Sequence, residues 1–127
     1  RVVQQILYSC YKNKIFPTSD GKQIRDFCYI DDAVNSIFKI LNLKKNYGQI
    51  YNIGYGKGIS IKSLIKEIQK ITNNGFPVYG KFKERNYENR SLVPDIKKAK
   101  KFLNWKPNVN ISTGLKKTLN YIKKNEE

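Results

Sequence analysis

Gly21-Lys22-Gln23-Ile24-Arg25-Asp26-Phe27-Cys28-Tyr29-Ile30-Asp31-Asp32 places a glycine turn, an arginine, a short apolar run and an acidic pair in immediate succession. Ser19-Asp20-Gly21-Lys22 reads as the turn and Phe27-Cys28-Tyr29-Ile30 as a brief strand. Asp32 can then cap a helix whose apolar face is Ala33, Val34, Ile37, Phe38 and Leu41. An arginine lodged between a turn and a buried strand is anchored, and an anchored guanidinium grips a diphosphate through parallel N–H donors. An ion pair from Arg25 to Asp26 or Asp32, merely bracing the turn, accounts for the same residues equally well on composition alone.

On the amino-terminal side, residues 2 to about 13 carry a helical pattern with Val2, Val3, Ile6 and Leu7 on one face, and Ile15-Phe16-Pro17 follows as an extended piece. On the other side, Asn46-Tyr47-Gly48 ends the helix that Asp32 opens. Gln49-Ile50-Tyr51-Asn52-Ile53 reads as a strand, and Gly54-Tyr55-Gly56-Lys57-Gly58 as a turn that delivers Ser60 to cap a helix built on Ile61, Leu64, Ile65 and Ile68. Asn73-Asn74-Gly75 closes that helix, and Pro77 to Phe82 reads as an edge strand. Lys83 to Ser91 is too polar to be core. Asp95 caps a short helix through Ile96, Ala99, Phe102 and Leu103, which breaks at Asn104-Trp105-Lys106-Pro107, and Leu115, Leu119 and Ile122 carry the last helix. The expectation is one α/β unit over residues 1–127, with short strands and about five helices.

At 127 residues and 39% hydrophobic content the chain can form one core. No apolar run approaches the roughly 18 residues that cross a bilayer, and no signal peptide opens the chain, so a soluble, cytoplasmic protein without membrane contact is expected. The chain begins without Met, directly in a periodic apolar segment, as a fragment would. With no His and two widely spaced cysteines, Cys10 and Cys28, neither a zinc site nor a Ser-His or Cys-His nucleophile pair can be assembled. The net charge of +15 invites a polyanion. However, only four of the 25 basic residues are Arg, and the lysine pairs fall on polar helix faces, a bias that AT-rich coding produces without any functional demand.

Two further motifs fail on geometry. Gly54-Tyr55-Gly56-Lys57-Gly58 sits between a strand and a helix, yet its third glycine comes one position too early for a dinucleotide cradle, and no acid follows at the required distance. Tyr79 and Lys83 match the Y-x-x-x-K spacing of a catalytic tyrosine and its lysine, which requires a helix, whereas this stretch follows a proline and alternates like a strand.

Residues 21–32 resemble the G-x-Q-x-R-D-[FWY]-x-[YH]-[VI]-x-D signature of extended short-chain dehydrogenase/reductases, the family of nucleotide-sugar epimerases and dehydratases. Tyr51-Asn52-Ile53-Gly54 is similar to the family's Y-N-[IVL]-G, and Asp95 through Pro107 to its D-x-x-K-A-x-x-x-L-G-W-x-P, with Asn104 where the family usually has Gly. Asn also accepts left-handed backbone angles. The resemblance covers nearly the whole chain. It implies that Arg25 binds the diphosphate of a nucleotide sugar, and that Arg85, ten residues before Asp95, is the second diphosphate ligand, with Glu88 the acid three residues on. The glycine of that family block is missing, which alters the loop's shape. By the same resemblance Asn52 contacts phosphate or ribose, and Phe16 to Thr18 line the base.

The resemblance further implies a carboxyl-terminal, sugar-nucleotide-binding domain of a Rossmann-type enzyme. NAD or NADP would belong to the full-length parent, a homodimer, and to its amino-terminal Rossmann half, while this piece alone would bind no cofactor or metal and supply no catalytic residue. The Phe16-Pro17-Thr18-Ser19 stretch and the Ile30-Asp31-Asp32 ending lean toward nucleotide-sugar 4-ketoreductases of dideoxysugar synthesis. The rival from another class is a small basic nucleic-acid-binding domain using the lysines and nine tyrosines, in which case binding would weaken steeply with salt and survive loss of Arg25. Nucleic acid is not the expected partner.

Overall fold

In the computed structural model, which describes residues 2–43, 48–82, 87 and 89–125, the elements run α1 (Val2–Tyr11), β1 (Ile15–Pro17), β2 (Ile24–Asp26), α2 (Ile30–Leu41), β3 (Gly58–Ser60), α3 (Ile61–Thr72), β4 (Phe76–Val78), β5 (Ser91–Leu92), α4 (Lys97–Leu103) and α5 (Ile111–Lys124). The five expected helices are present among the described residues. Apolar residues at three- and four-residue spacing make α1, α3 and α5 the walls of the main core. Ile6, Leu7 and Cys10 meet Leu64, Ile65 and Ile68, and Leu115, Leu119 and Ile122 close the third side, with Phe16 entering from β1. Each fully buried Leu or Ile in this group contributes about 1.5–3 kcal/mol of transfer free energy.

The helix ends follow local chemistry. Ser60 accepts the Ser63 N–H at 3.1 Å to start α3, and Asn73, at φ 54°, ends it in the left-handed conformation. Asp95 accepts the Lys97 N–H at 2.9 Å at the start of α4. Asn104 closes α4 at φ 45° and ψ 46°, the left-handed geometry expected of a residue standing where Gly is usual.

The strands depart from expectation because their partners lie far away in the chain. β1 pairs with β4 in parallel, Phe16 opposite Pro77. β2 lies between β3, antiparallel, and β5, parallel, with Arg25 opposite Ile59 on one side and Leu92 on the other. The strand expected at 27–30 therefore falls at 24–26, where both neighbours can pair. The strand expected at 49–53 does not form among the described residues; Tyr51 and Ile53 instead pack on a second, smaller cluster of Ala99, Leu103 and Trp105. The edge strand expected at 77–82 runs from Phe76 to Val78 and ends in a turn with Gly80 at φ 76°.

α2 is the larger correction. Tyr29, not Asp32, occupies its cap position, without a side-chain bond. Asp32 is the third helical residue and is buried, its carboxylate accepting the backbone N–H groups of Asn108 and Val109 at 3.0 and 2.9 Å. The polar Asp32 and Ser36 face inward, while most of the expected apolar face points out: Val34, Ile37, Phe38 and Leu41 are 40%, 55%, 61% and 73% exposed. The pattern identifies an amphipathic helix correctly, but the apolar side stays largely uncovered by the described residues.

Candidate functional site

Between α1, β1 and β2 lies a cavity of about 920 Å³. One face of α1 forms a wall with Gln5, Ile6 and Ser9, residues one turn apart. Phe16 and Thr18, both buried, enter from β1 and its exit, and Arg25 from β2. Three of the residues singled out from the sequence thus border a single hollow. Asn52 is not part of that lining; it is exposed, and its Nδ2 donates to the Asp95 carbonyl at 3.4 Å. Arg85 and Glu88 lie outside the described residues.

The Arg25 guanidinium is held by main-chain acceptors. Its Nη1 donates to the Ile24 carbonyl at 2.8 Å and to the Asn89 carbonyl at 2.9 Å. The Ile24 N–H in turn donates to the Arg90 carbonyl at 2.7 Å. The chain that follows Arg85 is therefore stitched to the strand carrying Arg25, and the head group is oriented before any ligand arrives.

Asp26 has a different task. Its two carboxylate oxygens accept the N–H groups of Tyr55 at 2.7 Å, Gly56 at 2.6 Å and Lys57 at 3.1 Å. Consecutive amides converging on an anion form a nest, and Gly56, at φ 78°, supplies the left-handed step that turns them inward. A Cβ at Gly54 would collide with the Pro94 side chain and stand 2.9 Å from the Asp26 carboxylate. The glycine run is thus occupied by an internal carboxylate, and its amides are spent. The Tyr55, Gly56 and Lys57 amides are therefore not open to a dinucleotide pyrophosphate. Tyr79 follows β4 rather than riding on a helix, and the Lys62 ammonium lies 5.3 Å from its ring.

Burial disfavours the thiolate form of both cysteines. Burial pushes Cys10 up to about 11, a hydrogen bond to Thr72 opposing it weakly. Burial, then the negative charges of Asp32 and Asp26, raises Cys28 as well. Among the described residues no three His, Cys, Asp or Glu side chains gather to hold a metal, and no helix is long and apolar enough to cross a membrane.

The sequence reading gave no binding role to Gln23, Ser19, Phe82 or the α1 wall, all of which border the cavity. For Gln23 a signal existed: it stands two positions from Arg25, the spacing that puts two side chains on one side of an extended chain.

The family profile for GDP-mannose 4,6 dehydratase matches residues 1–118. A UDP-glucuronate 4-epimerase of Thermodesulfobacterium geofontis is 40% identical over 121 residues, covering 90% of this chain and 34% of the relative. Among solved structures, the UDP-glucose 4-epimerase of Thermotoga maritima with UDP-glucose superposes with a TM-score of 0.90 at 31% identity, covering 100% of this chain and 40% of that one. The UDP-glucuronic acid 4-epimerase of Bacillus cereus, in complex with UDP-glucuronic acid and NAD, gives 0.82 at 33% identity over 98% of this chain and 39% of that one. The chain thus spans about a third of the length of the curated relatives it matches. On this agreement of motif, fold and similarity, the chain belongs to the GDP-mannose 4,6-dehydratase family, within the extended short-chain dehydrogenase/reductases that act on nucleotide sugars.

Proposed function

We propose that this chain holds the nucleoside diphosphate of a nucleotide sugar, as the substrate-binding portion of an NAD(P)-dependent epimerase or dehydratase. The observation that carries the reading is the cavity bordered together by a main-chain-anchored Arg25, Phe16 and Thr18. A fixed guanidinium offers charge-assisted donors to the diphosphate, each worth about 1.5–3 kcal/mol in a sheltered site. The Phe16 ring supplies an apolar wall for a base. By the family resemblance, Arg85 would add a second cation. The part we assign to these residues is positioning: the diphosphate is gripped and the sugar left to project toward a reactive centre elsewhere.

The bare face of α2 supports a missing neighbour. Burying Asp32 and Ser36 while exposing Ile37, Phe38 and Leu41 is costly for an isolated domain, and suits one that meets another apolar layer. The Rossmann half of a longer parent is the occupant we assign to it, the relatives being some three times as long as this chain.

Titration of the chain with uridine diphosphate, followed by thermal unfolding, tests the reading. Stabilisation that rises with ligand concentration and disappears in Arg25→Ala is expected. An unfolding temperature that does not respond to nucleoside diphosphate, together with a salt-sensitive response to DNA or RNA, would overturn it in favour of nucleic-acid binding.

A further inference from the structure

The carboxyl-terminal ends of α1 and α5 carry an alternating row of ammonium groups and aromatic rings. The Lys14 Nζ lies 5.2 Å from the centre of the Tyr8 ring, and the Lys12 Nζ lies 5.8 Å from that ring and 4.9 Å from the Tyr11 ring. The Lys123 Nζ, arriving from α5, stands 5.6 Å from the Tyr11 ring and ends the row. Elsewhere lysines meet carboxylates: Lys22 with Asp20, Lys70 with Glu67, Lys97 with Asp95 and Lys117 with Asp31. Among the described residues no carboxylate pairs with Lys14 or Lys123, and neither α1 nor α5 contains an Asp or Glu. A ring face steers an ammonium without cancelling its charge. The row therefore displays positive charge at settled positions.

This surface is separate from the cavity. The cavity wall on α1 is Val2, Gln5, Ile6 and Ser9, and at helical spacing Tyr8 and Tyr11 fall on a different face. The net charge of +15 singles out no surface by itself. A helix C-terminus attracts lysines through its dipole, which accounts for Lys12 and Lys123 singly but not for two tyrosines set between three lysines. A single nucleic-acid strand carries the complementary alternation, phosphate and base. Each ammonium meets a phosphate, and a tyrosine from which its ammonium is drawn offers a ring face on which a base stacks. A duplex keeps its bases stacked on one another and would use the charges alone.

We infer that the row of Lys14, Tyr8, Lys12, Tyr11 and Lys123 is a second binding surface of this chain, one that takes single-stranded nucleic acid. It is independent of the nucleoside-diphosphate reading of the cavity. Fluorescence anisotropy with labelled oligothymidylate and oligouridylate of equal length tests it, the tighter of the two naming the sugar. Three lysines on phosphates give a plot of log affinity against log salt with a slope of about −2. The variant Lys14→Gln/Lys123→Gln, both positions being exposed, should bind at least roughly fivefold more weakly, with a slope shallower by about 1.4. Lys100→Gln/Lys106→Gln removes the same charge from exposed positions in and beside α4 and should stay within about twofold of wild type. Saturating uridine diphosphate should leave strand binding unchanged. Absence of binding to either strand, an equal loss in the two variants, or duplex bound as tightly as single strand overturns the inference. So does displacement of the strand by uridine diphosphate, which would move the contact to the cavity.

Discussion

The Trp105 indole Nε1 donates to the main-chain carbonyl of Asp32 at 3.0 Å, across 73 positions of sequence. The Asp32 carboxylate holds Asn108 and Val109 at the same place, so one buried residue ties the start of α2 to the chain leading into α5. Asp32→Ala would leave the part-buried Asn108 and Val109 N–H groups without their acceptor and should cost about 2 kcal/mol. Urea denaturation would show this as a lower midpoint; a loss below about 1 kcal/mol would contradict the structural role. Asp32→Asn, which keeps one acceptor oxygen, should lose less.

Asp26 is expected to matter for order more than for ligand charge. With Asp26→Ala the Tyr55, Gly56 and Lys57 amides lose their anion, and hydrogen exchange at these three should quicken by at least an order of magnitude relative to α3. Unchanged protection would show that the loop is held by other means.

Cys10 provides a pH signature. Its folded-state value, about 11, lies above the ordinary thiol value of 9.0 because burial disfavours the thiolate. A raised acid of this kind contributes stability that is complete below about pH 9 and is lost as pH climbs toward 11, because only the unfolded thiol ionises in that window. Between pH 8 and 10.5 the wild type should therefore lose stability more steeply than Cys10→Ala in paired urea titrations. Parallel curves would refute it.

The outward face of α2 should tolerate polarity. Ile37→Lys and Phe38→Gln remove exposed apolar surface, and each should change unfolding free energy by no more than about 0.5 kcal/mol. Binding of an apolar dye should fall in both. A loss of several kcal/mol would mean that the face is covered after all within the isolated chain.

Much of this was readable without coordinates. The periodicities of α1, α3 and α5, the Ser60 cap and the left-handed Asn104 are decided within a few residues of chain, and the structure contains each of them. The resemblance carried by residues 21–32 pointed to Arg25, Phe16 and Thr18, which do border one cavity. The strands were less legible. Each is three residues or fewer, too short for alternation to register, and each owes its limits to a distant partner, as β2 does to β5. Gln23 was legible only as a matching letter of the motif; its place on the cavity wall depends on the fold.

The sequence by itself determined the helices, the Ser60 cap, the left-handed Asn104 and the family, because those depend on spacing and on side chains bonding to their own neighbourhood. Tertiary structure alone decided three things: which way α2 turns its apolar face, what the Asp26 and Asp32 carboxylates hold, and which polar groups open on the cavity. The physical reason is that a pattern records an amphipathic face or an acid but not its partner, and a buried carboxylate or amide is satisfied by whichever donors or acceptors the folded chain brings within about 3 Å.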